Sequence, residues 1–277
     1  MRRSREIGFV VLGIIFFALI LAILPSDEPV NEGNTLTEWV DQIYTTYDGG
    51  DTNTPAALAI RQMGTNALPH LMRLVQPQTS PVTFDVRQHP FDVRQHQAAI
   101  AFYYLGSIAE PAILDLSLML TNSSGGCPAG KALGGIGPKS FDTLTTALTS
   151  TNLIVQQQAV AGLGVMRIRG NSHIPILLAK TKIPQLRQAA IAALGDARQA
   201  PDRTLSTLID ALNDTNLNVR LLSAVSLGEY GARAKSATPA LLRLMSSRNK
   251  AMEARFARSA IEKIDPAARA EFDESSN

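Results

Sequence analysis

The chain has 277 residues, of which 45% are apolar, 18% charged and only 5% aromatic. That is enough to bury a substantial core, and the thin aromatic and β-branched signal favours close-packed helices over sheets. The formal net charge of +2 comes wholly from Arg2, Arg3 and Arg5 set against Glu6, so the remainder is balanced and the pI of 8.8 does not describe a generally basic protein.

Residues 1–6 are polar and basic, and Ile7 to Leu24 run without a charge for 18 residues. At about 1.5 Å per helical residue this run approaches the hydrocarbon thickness of a bilayer. No small-x-small site ends it, and no Cys follows it, so a retained signal anchor over residues 1–25 is favoured over a cleaved leader or a lipoprotein anchor. The positive-inside bias places the three arginines in the cytoplasm. The expectation is therefore a single-pass membrane protein whose remainder is periplasmic or extracellular. The alternative is secretion after cleavage.

A short polar tether follows, assigned to residues 26–35 with the anchor-proximal Pro25 before it. Thr35-Leu36-Thr37-Glu38 reads as a capping box that opens a helix carrying Trp39, Val40 and Ile43 on its apolar face. From there to residue 272 the chain repeats. Ala132-Leu133-Gly134, Gly162-Leu163-Gly164, Ala193-Leu194-Gly195 and Ser226-Leu227-Gly228 align, with glycines 30, 31 and 33 residues apart. Ala260-Ile261-Glu262 extends the series, as do Ala101-Phe102-Tyr103 and Ala59-Ile60-Arg61 before it. The one long spacing, 42 residues, contains a tandem duplication in which Phe84–Pro90 is followed by the similar Phe91–Gln97. About seven anchors at this period indicate a repeat array.

Between anchors falls a second pattern, Pro-x-apolar-apolar-x-Leu, at Pro69, Pro111 and Pro239, with a partial match at Pro175. Proline early in a helix gives up only an orphan N–H, and the apolar spacing behind it lines one face. Gly137 and Gly231 suit sharp turns between helices. Each unit is thus a helical hairpin that cannot bury its apolar face alone and must stack. The expected fold is all-α, an α-α superhelix of about seven hairpins over 36–272, with a tail at 273–277.

With Leu186-Arg187 through Leu194-Gly195 and Val219-Arg220 through Leu227-Gly228 as its clearest units, the array resembles HEAT repeats, in the short bacterial form known from phycobilin lyase subunits. The resemblance implies a solenoid that binds through shape and surface. Two units depart from it: Val155-Gln156 stands where Val219-Arg220 stands in its closest counterpart, and Glu262 replaces the anchor glycine at the end.

Reactive motifs are weak. Gly125-Gly126-Cys127-Pro128-Ala129-Gly130-Lys131-Ala132 satisfies Gly-x4-Gly-Lys, but Ala132 stands where a Ser or Thr must ligate Mg²⁺, and no strand precedes it. Cys127, the single cysteine, reads as small, buried and inert. His89 and His96 are equivalent residues of the duplication, and Pro90 argues against one helix presenting both to a metal. His70 and His173 adjoin proline-led helices and are expected at the surface. No cofactor, metal or catalytic constellation is expected.

Arg187, Arg220 and Arg255 recur near the start of second helices, with Asp214 six residues before Arg220. They are either a cationic ridge for a partner or a structural ladder, and the HEAT resemblance favours the ladder. Between Met166 and Arg258, 15 Lys or Arg face 6 Asp or Glu, which suits an acidic partner unless it is only a solvated outer face. The leading expectation is a membrane-anchored scaffold that binds an unidentified protein in the cell envelope, an acidic one if the cationic face is the contact. The alternatives are a bilin-lyase-like or other enzyme-associated protein, and a nucleic-acid-binding array of the kind used by alkylpurine glycosylases; the export segment opposes both.

Overall fold

The computed structural model describes residues 28–43, 53–76, 90–122, 128–166, 172–198, 201–246 and 251–276. The apolar N-terminal segment, residues 84–89 of the duplication and Cys127 lie outside these residues.

Part of the stretch read as a tether folds back on itself. Strands β1 (Val30–Asn31) and β2 (Asn34–Thr35) pair antiparallel, with Val30 opposite Thr35. Glu32 and Gly33 both take positive φ, +48° and +83°, as a two-residue hairpin turn demands. Thr35 then caps α1 (Leu36–Asp41): its hydroxyl accepts from the Glu38 N–H at 3.3 Å, and the Glu38 carboxylate accepts from the Thr35 N–H at 2.7 Å. Trp39 donates from Nε1 to the Asn31 carbonyl at 3.0 Å, so the hairpin closes the N-terminal end of the array.

Hairpins follow in order. After α2 (Pro55–Met63) come α3 (Leu68–Val75) with α4 (Pro90–Leu105), and α5 (Ile113–Asn122) with α6 (Ala129–Ile136). Next are α7 (Phe141–Ala147) with α8 (Leu153–Val165) and α9 (Ile174–Lys180) with α10 (Pro184–Ala197). The last pairs are α11 (Pro201–Ala211) with α12 (Leu217–Glu229) and α13 (Thr238–Met245) with α14 (Ala251–Ile264), before a closing α15 (Pro266–Ser276). Pro69, Pro175 and Pro239 sit in the first turns of α3, α9 and α13, where no helical hydrogen bond is lost. Asn152 and Asn216 accept from the N–H groups two residues on, each at 2.9 Å, and so cap α8 and α12 identically.

The chain leaves each second helix at the same register. Gly64, Gly106, Gly137 and Gly231 hold φ of +60°, +53°, +103° and +53°, each three residues beyond its anchor. Arg198 holds that register after α10 with φ +48°, a left-handed conformation that costs a non-glycine residue about 1 kcal/mol.

The second helices α2, α4, α6, α8, α10, α12 and α14 touch one another in succession, which makes them a continuous layer. The first helices pack against that layer. The anchor glycines explain the tightness. A Cβ on Gly134 would stand 2.0 Å from the Gly162 carbonyl oxygen, and one on Gly162 would stand 2.2 Å from that of Gly130. Gly164 meets Ala193, and Gly195 meets Ser226, at separations no side chain tolerates. Around this spine Leu133, Leu163, Leu194 and Leu227 are wholly buried. Their apolar burial stabilises by about 1.5–3 kcal/mol for each leucine.

Among the described residues one helical run, Val93–Asn122, has the length and apolarity of a membrane span. It is two helices broken at Gly106, and Phe102, Leu116 and Leu120 within it are buried in the repeat core.

Candidate interaction surface and its charge ladder

Two of the three candidate arginines build a ladder. Arg187 on α10 donates from Nε to the Thr181 carbonyl at 2.8 Å and from Nη1 to the Asp214 carboxylate at 3.2 Å. Arg220 on α12 donates to the carbonyls of Asp214 at 2.8 Å and Thr215 at 3.0 Å, and from Nη2 to Glu253 at 2.8 Å. Asp214 therefore serves both arginines, and the chain Arg187–Asp214–Arg220–Glu253 laces three consecutive units. Each guanidinium satisfies carbonyls at the C-terminal side of its own first helix, where partial negative charge collects, and then ties to an acid of the next unit.

Glutamines occupy the same register where arginine is absent. Gln156 on α8 donates to the Ser150 carbonyl six residues back, the same separation as Arg187 to Thr181. Gln95 on α4 donates to the Gln76 carbonyl at 2.9 Å, across the longer connection of its hairpin. Both amides supply the carbonyl half of the contact but have no charge for the inter-unit half. Arg255 is different. The ladder register in the last unit falls on Ala254, eight residues before Glu262, and Arg255 is exposed with no hydrogen bond or ion pair among the described residues.

A second set of charges crosses the continuous layer. Lys131 on α6 lies 3.5 Å from the Asp196 carboxylate on α10, with α8 between them in the stack. Glu229 on α12 receives Lys263 of α14 at 2.9 Å and pairs with Arg198. Burial holds the Asp196 carboxyl above its usual range, partly offset by Lys131, although a quarter of its side chain stays accessible. His96 on α4 is pushed down to about 4, first by burial and then by the nearby Lys131 ammonium, so it is neutral at pH 7. Perturbed groups of this kind mark functional sites or structural networks alike. Here each charge has an opposite partner, and the arrangement performs bracing.

Gly130 lies inside α6, where its missing Cβ admits the Gln158 carbonyl, so it shapes a helix contact and no phosphate cradle. His70 and His173 are not surface residues. His70 is half-buried beside Glu28 and Arg73, while His173 is fully buried with no partner for either ring nitrogen among the described residues. Burial lowers both, with Arg73 acting in the same direction on His70 and Glu28 opposing it. His89 lies outside the described residues. Among those residues no group of three His, Cys, Asp or Glu could hold a metal ion.

An array of two-helix units stacked through one helix of each, with loops laced by arginine, is an α-solenoid. Residues 176–262 match the family described as HEAT repeats, which supports that family for the array. No curated protein matches the chain.

Proposed function

We propose that this chain is a protein-interaction scaffold of the cell envelope, held by its N-terminal apolar segment and carrying out no chemistry of its own. The observation that carries this reading is the continuous layer of second helices. It offers one long preformed surface, and such a surface binds without the ordering penalty that a flexible segment would bring. The HEAT match supports an interaction role, and the charges on the layer support it too, because they are engaged in bracing neighbouring units. Apolar side chains are left exposed there: Leu217, Val225 and Met252 are 40%, 39% and 54% accessible on α12 and α14.

Two experiments test the two halves. A reporter active only outside the cytoplasm, fused after Asn277, should be active; activity of a cytoplasm-only reporter would overturn the compartment. Photocrosslinkers placed along α8, α10, α12 and α14 in cells should capture a discrete partner. Capture at no position, with the protein present at its normal level, would count against a scaffold.

A further inference from the structure

Between α12 and α14 the surface dips into an open groove of about 200 Å³, lined by Val225, Gly228, Phe256 and Ala260 together with Arg255, Ser259 and Lys263. Sites that bury a cofactor or drug-sized ligand run to about 300–1,000 Å³, so this one suits one or two side chains. Val225 within it is 39% exposed, and Leu217 and Met252 are exposed elsewhere on the same two helices.

The charge in the groove is asymmetric. Lys263 is committed to Glu229 at 2.9 Å. Arg255 is exposed and unpartnered among the described residues, beside the apolar lining. A guanidinium offers a planar fork matched to a carboxylate, and pairing it beside apolar surface excludes water from the contact.

We propose that this groove binds an extended acidic segment of a partner protein, seating one apolar side chain over Val225 and Phe256 while a neighbouring carboxylate engages Arg255. The assignment rests on the scaffold reading and narrows it to one site and one class of partner. Nucleic acid fits less well: a phosphate backbone is held by several free cations and its bases by stacked aromatics, whereas among the described residues that line the groove Arg255 alone is an unpaired cation and Phe256 is the one aromatic.

The test is fluorescence anisotropy on the full-length protein with three labelled probes: a peptide alternating Leu and Glu, a peptide alternating Leu and Lys, and an oligothymidylate. The Leu–Glu peptide is expected to bind in the micromolar range and the other two to bind at least about tenfold more weakly. Arg255→Glu and Val225→Asp should each weaken the Leu–Glu peptide by roughly tenfold, as loss of a central contact does, while Leu114→Asp on α5 should leave it unchanged. Circular dichroism checks that each variant stays folded. No binding of the Leu–Glu peptide, equal binding by Arg255→Glu, or tighter binding of the oligothymidylate overturns the proposal. If that happens while crosslinking still captures a partner elsewhere on the layer, the groove fails and the scaffold stands; if crosslinking captures nothing, the scaffold reading fails with it.

Discussion

The α6–α8 and α12–α14 contacts join neighbouring units by different means. At the first, backbones meet: added Cβ atoms at Gly130, Gly134 and Gly162 would lie 2.0–2.2 Å from carbonyl oxygens of the facing helix. At the second, a Cβ on Gly228 would meet Ala260 Cα no closer than 3.3 Å, and the units are tied by Arg220 to Glu253 and Lys263 to Glu229 instead. One repeat pattern therefore supports both a close-packed interface, which leaves no room between its helices, and a looser interface braced by charge. The looser one carries the groove. An array that must hold its shape yet admit a side chain gains by varying its interfaces in this way.

Changes at the two interfaces should separate them, the largest first. Gly134→Ala should cost about 3 kcal/mol in urea unfolding, because a methyl group has no space against the Gly162 carbonyl. Gly228→Ala should stay within about 1 kcal/mol of the parent, since a gain in helix propensity offsets a tight but tolerable contact. Similar losses at both positions would erase the distinction.

Arg220→Ala should cost about 2 kcal/mol, as it strips a guanidinium from the buried Glu253 and from two carbonyls. Gln156→Ala, which loses a neutral hydrogen bond at the same register, should cost about 1 kcal/mol. A cost at Gln156 as large as that at Arg220 would show that the ionic half of the ladder adds nothing.

Acid should weaken the α4–α6 region through His96. Its folded value of about 4 lies below the ordinary 6.5, so below pH 6.5 the unfolded chain binds a proton that the folded chain refuses. Stability attributable to His96 is thus intact above pH 6.5 and lost as pH falls towards 4, by about 2 kcal/mol after allowance for partial exposure. His173, also lowered by burial, acts in the same direction, whereas burial raises Asp196, which acts oppositely. Unfolding curves of the parent and His96→Gln at pH 7 and pH 4 measure the His96 share, and equal pH dependence in both would rule it out. The smallest effect is expected at Arg255→Ala, within about 0.5 kcal/mol, because an unpaired exposed side chain contributes little to folding.

The repeat was legible because its physics is periodic. Proline at the head of first helices, leucine in the spine and glycine at the anchor recur at a spacing that survives one insertion. The capping box at Thr35 was legible because capping is local. The anchor glycines were visible by position, but their role in admitting a neighbour's carbonyl depends on which helices pack together. Gln156 stood out only as a departure from arginine and Gln95 not at all, because their residue type differs from arginine while their donor geometry does not. Arg255 was grouped with Arg187 and Arg220 by approximate spacing, and the longer last unit moves it one position off the ladder register. Lys131 and Asp196 are distant in sequence and on helices two units apart, so nothing local links them. His173 next to a proline-led helix looked exposed, and only the tertiary packing buries it.

Native-state hydrogen exchange of the full-length protein, followed by mass spectrometry with and without Arg220→Ala, tests the account of two interface types most directly. Nearest-neighbour arrays open in blocks. The account predicts that amides of α6 and α8 exchange through the rarest opening, that those of α12 and α14 open more readily, and that Arg220→Ala speeds exchange in α12 and α14 alone. A uniform acceleration reaching α6 and α8 equally would contradict it, because the chain would then open as one unit however its interfaces were built.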